Sequence, residues 1–201
     1  MIVTVAGFKG GVGKTTTAVH LACFFAELEG RTLLVDGDPN RSSMGWAERG
    51  ELPFSVCDFS ASVKASRSAD HIIVDTEAHP DNETLETLAD GCDLLVLPTT
   101  ADALGLEALL NTTEALKRLS AYSVLLTKVD SRKLATAEQA RAMLKSQDIP
   151  VFDQVIRQLT AYEKAALAGV PVQKSGDRMA GIAWKEYRAV GNEVLKYDQE
   201  S

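Results

Sequence analysis

The feature that most constrains this chain lies at its start. Residues 2–6 read as a buried strand and run straight into Gly7-Phe8-Lys9-Gly10-Gly11-Val12-Gly13-Lys14-Thr15-Thr16. From Lys14 a helical pattern is expected over 14–29, with Ala18, Leu21, Ala22 and Phe25 on one face and Gly30 placed to end it. A strand, a glycine-rich turn and a helix start together form a phosphate cradle. Gly10, Gly11 and Gly13 let the backbone bend so that N–H groups turn inward, and the helix N-terminus adds partial positive charge. Lys14 can reach β- and γ-phosphates, and the Thr15 hydroxyl can ligate Mg²⁺. The expected nucleotide-binding residues of the loop are Gly10, Gly11, Val12, Gly13, Lys14, Thr15 and Thr16. The strict pattern G-x-x-x-x-G-K-[ST] fails at its first position, which is Phe8; the Gly10-Gly11 pair supplies flexibility instead, and a second lysine, Lys9, appears.

The rest of the chain alternates in the same way. Strands are expected at 32–35, 53–58, 71–75, 94–97, 123–127 and 151–156. Helices are expected at 43–49, 82–89, 102–119, 136–145 with Thr136 as cap, 161–168 and 181–196. This order implies an α/β fold: a doubly wound, mostly parallel sheet flanked by helices, with ligands at the C-terminal ends of the strands. A chain of 201 residues suits a single domain over 1–201, and 45% hydrophobic with 24% charged residues is a globular composition. Cys23, Cys57 and Cys92 fit neither a disulfide framework nor metal-ligand spacing, so they read as buried, reduced thiols. The N-terminus lacks the basic region and cleavage site of a signal peptide, and no apolar run is long enough to span a bilayer. A net charge of −7 excludes a protein coated in positive charge but leaves room for a local basic patch. Residues 198–201 are expected to form a frayed tail.

The segment Lys9-Gly10-Gly11-Val12-Gly13-Lys14-Thr15-Thr16 resembles the deviant Walker A motif of the ParA/MinD ATPases. That resemblance implies a P-loop NTPase of the deviant Walker A class, with ATP and Mg²⁺ as cofactors. It also implies a homodimer in which Lys9 reaches the phosphates held by the other subunit. Leu33-Leu34-Val35-Asp36-Gly37-Asp38-Pro39 is similar to the family's D-x-D-P element, so Asp38 would position or activate the attacking water and Asp36 would support the magnesium shell. Ile72-Ile73-Val74-Asp75-Thr76 has the Walker B arrangement, in which Asp75 holds that shell through water. The catalytic set implied is Lys9, Lys14 and Asp38; the metal set is Thr15, Asp36 and Asp75. The family usually continues D-T-P or D-T-A, whereas Glu77 stands here and adds negative charge near the γ-phosphate unless it faces away. His79 reads as a partly exposed loop histidine.

Thr127-Lys128-Val129-Asp130 looks like the T/N-K-x-D guanine motif of GTPases, but in ParA-like proteins this region lies beside adenine, and the Lys9 signature points to ATP. A second base contact is expected from the backbone of the loop after the last strand, near Ile156 and Arg157. Residues 158–172 also resemble the family. ParA-like members bind DNA non-specifically as ATP dimers. Here a local basic patch among Arg157, Lys164, Lys174, Arg178, Lys185, Arg188 and Lys196 would carry that binding, with steep salt sensitivity. The apolar residues of the last helix, Ile182, Trp184, Tyr187, Val190, Val194 and Leu195, suit packing on the domain. MinD relatives instead end in a basic amphipathic membrane helix, so membrane binding is not expected.

The chain starts at its first strand, so no helix-turn-helix domain is expected ahead of it. The expected role is partitioning or positioning of a cargo (plasmid, carboxysome or another large assembly), cytoplasmic and nucleoid-associated. A cargo-bound adaptor protein would stimulate hydrolysis, and a basic adaptor segment would suit the acidic chain. Residues 7–22, 90–100 and 181–187 resemble the carboxysome-positioning branch of the family. The alternatives are a MinD-like membrane-cycling regulator and a P-loop carrier or metabolic enzyme. Against the latter two, the paired Cys-x-x-Cys ligands of an iron–sulfur carrier and a recognisable substrate-binding insertion are missing.

Overall fold

The computed structural model describes residues 1–78, 80–119 and 121–199, so His79, Ser120 and residues 200–201 lie outside the described residues. Six strands among them form one parallel sheet: β1 (Ile2–Gly7), β2 (Thr32–Gly37), β3 (Ser55–Asp58), β4 (His71–Ala78), β5 (Leu94–Thr100) and β6 (Tyr122–Thr127). Their order is β3-β2-β4-β1-β5-β6. The chain fills one side of β1 with β2, β3 and β4, then crosses to the other with β5 and β6. The switch in winding therefore falls at β1, and a crevice opens at its C-terminal end, where the glycine-rich loop begins.

The helices are α1 (Lys14–Phe25), α2 (Ser42–Arg49), α3 (Ser62–Ala65), α4 (Asn82–Asp90), α5 (Ala103–Leu110), α6 (Thr113–Leu116), α7 (Leu134–Ser146), α8 (Thr160–Ala168) and α9 (Ala180–Gln199). Alternation along the strands divides the core. Leu34, Ile73 and Leu125 pack with α1, α2, α8 and α9, whereas Leu95, Leu97 and Leu126 pack with α4 to α7. α1 is buried nearly all round rather than along one face, because α9 lies across its outer side. Gly191 lets the two helices close up, since a methyl there would run into the Phe24 ring.

Four sequence expectations are corrected. Residues 151–156 are not a strand; they touch β6 through the bridge Val124–Val151, with a second bridge at Val129–Arg157. The Asp153 and Gln154 N–H groups instead donate to the Glu193 carboxylate of α9, at 2.7 and 2.9 Å, which lifts the segment off the ladder. The helix expected over 102–119 is broken into α5 and α6. The Thr112 hydroxyl and N–H both turn back to the Leu109 carbonyl, at 2.6 and 3.0 Å, and so interrupt the regular bonding. α1 ends at Phe25, and the next turns tighten to three-residue bonds; Gly30, with φ 109°, lies beyond it and passes close to Asp70. Thr136 is not a cap, for α7 starts at Leu134 after a short turn that Asp130 caps. The short turns and helix of residues 59–68 carried no sequence expectation, and α9 runs through the expected start of the tail.

Candidate nucleotide site

The loop after β1 takes the shape its glycines permit. Gly11 and Gly13 adopt left-handed backbone at φ 77° and 92°, and Gly13 is the N-terminal boundary of α1. No side chain caps that end and its first turn holds no acidic residue, so the first N–H groups of α1 face the loop's hollow. The Lys14 side chain is buried, its methylenes folded against Gly7. From the end of β6 the Thr127 hydroxyl donates to the Val12 carbonyl at 2.6 Å and clamps the loop to the sheet. Thr15 and Thr16 follow on the first turn of α1, both partly exposed.

Two carboxylates lie beneath this hollow. Asp36 and Asp75 are direct partners across β2 and β4. Asp36 accepts the Asp38 N–H at 3.1 Å and the Met44 N–H at 2.8 Å. Asp75 is fully buried. Its Oδ2 accepts the Ser43 hydroxyl at 2.8 Å, and its Oδ1 has no hydrogen-bond partner among the described residues. Burial pushes the Asp75 pKa up to about 6, with the Asp36 charge adding to it; the Thr15 and Ser43 hydroxyls and Lys14 oppose the rise. A buried carboxylate oxygen without a donor, next to a hydroxyl and a second carboxylate, fits a divalent cation or its bound water. No three His, Cys, Asp or Glu side chains converge into a metal cage among the described residues. Mg²⁺ generally keeps several waters and takes further oxygens from phosphate. Asp38 sits at the crevice edge with one oxygen fixed by the Asn40 N–H and amide, both at 2.8 Å.

Beside the loop lies a cavity of about 190 Å³, walled by Gly13, Thr16, Lys128, Arg157, Tyr162 and Tyr187. The two loops that form it are stitched together, with the Val129 N–H on the Ile156 carbonyl at 3.0 Å and the Gln158 N–H on that of Val129 at 2.9 Å. This position next to Gly13 and Thr16 is where a base attached to loop-bound phosphates would lie. Arg157 is on its wall, as the sequence suggested, but its guanidinium is paired with the buried Glu186 of α9, which also accepts the Arg157 N–H at 3.1 Å. Asp130 is elsewhere: Arg132 holds its carboxylate through Nε at 3.1 Å and Nη2 at 2.7 Å, beside a separate cavity. Lys9 is half-buried, and its charge adds to the Thr100 and Gly105 groups that hold Asp102 below the usual carboxylate range. Glu77 is exposed and opens onto a groove shared with Gly37 and Thr76.

Two features escaped the sequence. Ser43 is one; no pattern marks a serine seven residues past Asp36 as its neighbour's donor. The other is the aromatic setting of His20. Its ring stacks on Tyr187 at 4.8 Å and meets the rings of Trp46 and Tyr162 edge-on. Nδ1 lies 2.7 Å from the Thr16 carbonyl, so it carries the proton. Burial drives the pKa down to about 4, and the ring is neutral at pH 7. The spacing of His20 four residues after Thr16 was the available signal. Of the seven basic residues expected to meet DNA, Arg157, Lys164 and Arg188 pair with Glu186, Asp177 and Glu27, no ion pair of Lys174, Arg178 or Lys185 forms among the described residues, and the charge of Lys196 acts on Asp153.

Comparisons with known proteins bear on the family and the fold. The family model described as CbiA, the CobQ/CobB/MinD/ParA nucleotide binding domain, matches residues 3–172. The chain is 38% identical over 202 residues to the "Maintenance of carboxysome distribution protein A" of Gloeobacter kilaueensis, covering 96% of this chain and 93% of that one. It is 29% identical over 245 residues to the chromosome-partitioning ATPase Soj of Thermus thermophilus, covering 99% and 97%. Among solved structures, an ATP complex of a Cyanothece McdA variant superposes with TM-score 0.73 at 17% identity, covering 97% and 96%; at that identity the likeness is one of fold.

Proposed function

The chain belongs to the CobQ/CobB/MinD/ParA nucleotide-binding family, and from that premise we propose that it binds MgATP, closes as a dimer over two nucleotides, holds DNA without sequence preference in that state, and hydrolyses ATP to position a large cargo. It is an ATPase of the ParA/MinD kind. The similarity to a carboxysome distribution protein over nearly the whole length favours a carboxysome-like cargo. The observation that carries the reading is the unpartnered Asp75 Oδ1 beneath a left-handed glycine loop and beside Asp36.

In this mechanism the loop N–H groups and Lys14 neutralise phosphate charge from one side, and Lys9 of the facing subunit does so from the other. Thr15, Asp36 and Asp75 would hold Mg²⁺, directly or through water. When bound, the ion offsets charge on the β- and γ-phosphate oxygens. Asp38, its carboxylate oriented by Asn40, aligns the attacking water. The cavity between Thr16 and Arg157 takes the adenine. Lys174, Arg178 and Lys185 supply the local positive patch, which an overall charge of −7 requires to be local.

The test is binding to random-sequence duplex DNA with no nucleotide, ADP, ATP and GTP at two salt concentrations, beside a sedimentation assay on anionic liposomes. DNA binding that needs ATP and weakens steeply with salt is the expected result. Sedimentation with liposomes under ATP, without DNA binding, would overturn the nucleoid reading in favour of a membrane-cycling one.

A further inference from the structure

The strip of chain over residues 156–158 forms one wall of the cavity beside the glycine loop, and its main-chain donors are all committed. The Ile156 N–H donates to the Leu126 carbonyl and the Gln158 N–H to the Val129 carbonyl, both at 2.9 Å. These two bonds tie the strip to the end of β6 and the turn after it. The Arg157 N–H between them has no backbone acceptor; it donates to the Glu186 carboxylate of α9 at 3.1 Å. The other oxygen of Glu186 takes Arg157 Nε. Among the described residues the Arg157 and Gln158 carbonyls accept no hydrogen bond. What the main chain of 156–158 has left to offer a neighbour is therefore acceptors alone.

Glu186 is held firmly where it does this. It is only 6% exposed, and the next residue, Tyr187, lines the cavity with its hydroxyl 3.1 Å from that of Thr17 on α1. The Tyr162 hydroxyl, on another wall, donates to the Ala183 carbonyl of α9 at 3.2 Å, and that of Thr127 is taken by Val12. Lys128 and Gln158 are exposed residues whose side chains water can satisfy. Purines differ in what they show at position 6. Adenine carries an amino group, which donates; guanine and hypoxanthine carry a carbonyl, which accepts. A strip of acceptors receives the first and sets lone pairs against the second. Without Glu186 the Arg157 N–H lacks an acceptor, which the oxygen of a 6-keto base would supply and an amino group would not.

We infer that Glu186 sets the preference of this site for a 6-amino over a 6-keto purine, by withholding the Arg157 N–H from the base. It acts through Arg157 and is a positioning residue. The inference rests on the ATPase reading above and names the side chain that selects the nucleotide. The selection works by exclusion: a 6-keto base meets carbonyls it cannot bond, while the amino group of adenine finds the acceptors it needs.

The probes are ATP and inosine triphosphate, competed with Mg²⁺ against a fluorescent ATP analogue on the full chain, on Glu186→Ala and on Glu186→Gln. Inosine triphosphate lacks the 2-amino group of GTP, so the ratio of the two affinities reports on position 6. The parent is expected to favour ATP by about tenfold or more, and Glu186→Ala to narrow the ratio to within about threefold, chiefly by binding inosine triphosphate more tightly. Glu186→Gln loses the ion pair but keeps an oxygen for the Arg157 N–H, and its ratio should stay within about twofold of the parent's. A loss of packing or charge alone would lower both affinities together and leave the ratio unmoved. Thermal melting checks the fold; Glu186→Leu, which fills the space without an acceptor, replaces the alanine variant if that one melts in the assay range. An unchanged ratio in Glu186→Ala or Glu186→Leu, or an equal loss of preference in Glu186→Gln, would overturn the inference. A parent that binds both triphosphates equally would also overturn it while leaving the ATPase reading in place, whereas a parent that binds neither would end that reading itself.

Discussion

The Ser43 hydroxyl donates to Oδ2 of Asp75 at 2.8 Å, joining the first turn of α2 to the last buried carboxylate of β4. This bond uses one oxygen of Asp75 and leaves the other without a hydrogen-bond partner among the described residues. Ser43→Ala removes a hydroxyl donor from a fully buried carboxylate and should cost about 1–3 kcal/mol of stability. It should also raise the Mg²⁺ concentration needed for half-maximal ATPase rate by about tenfold. A Mg²⁺ titration with a parallel melt checks both; an unchanged Mg²⁺ requirement would mean that the bond does not orient the site.

Asp75 and His20 oppose each other in pH dependence. Asp75 titrates near pH 6 in the fold and near 4 when unfolded, so the stability it gives is full below pH 4 and lost as pH rises through 6. His20 titrates near 4 in the fold and near 6.5 unfolded, so its contribution is present above 6.5 and lost on acidification toward 4. Each effect is worth about 3 kcal/mol at full extent. Asp75→Asn should therefore stabilise the nucleotide-free protein at pH 7, steepen its loss of stability between pH 6.5 and 4, and abolish Mg²⁺-dependent hydrolysis. Denaturant melts across that range measure the slope.

Lys14 and Lys9 should separate by readout. Lys14 is buried against the loop, and Lys14→Ala should lower nucleotide affinity by about a hundredfold. Lys9→Ala should leave monomer binding of a fluorescent ATP analogue within about threefold, yet prevent ATP-dependent dimerisation in sedimentation and reduce hydrolysis to background. Equal loss of nucleotide binding in both variants would place Lys9 in its own subunit's site.

ATP should bind at least about tenfold more tightly than GTP. Because Asp130 is turned into a neighbouring cavity, Arg132→Ala should leave that preference unchanged although it releases the Asp130 carboxylate. A marked gain of GTP affinity in Arg132→Ala would show that Asp130 can reach the base after all.

Where a backbone rule dictates geometry, the sequence was readable. The glycines at 11 and 13 demand the left-handed turn, and carboxylates at strand ends must gather at the crevice of a parallel sheet. Alternation of strands and helices implied the parallel, doubly wound sheet, though not the order of its strands. What stayed hidden depended on side chains arriving from distant elements. Glu193 takes the N–H groups of Asp153 and Gln154, Thr112 interrupts a periodic apolar run, and Glu186 claims the guanidinium of Arg157. Ser43 and the ring stack around His20 belong to the same class, since neither is local in sequence to what it supports.

The segment that fails as a seventh strand still meets β6 on its outer side. Val124 bonds to Pro150 and Phe152, and the Leu126 carbonyl accepts from Ile156. An irregular chain thus occupies the margin where another protein's strand could otherwise dock and propagate an aggregate. At the opposite margin β3 is only four residues long. Higher-order assembly through continuous sheet is thereby disfavoured at both borders, which leaves the faces and the nucleotide crevice as the surfaces through which this ATPase can engage its neighbours reversibly.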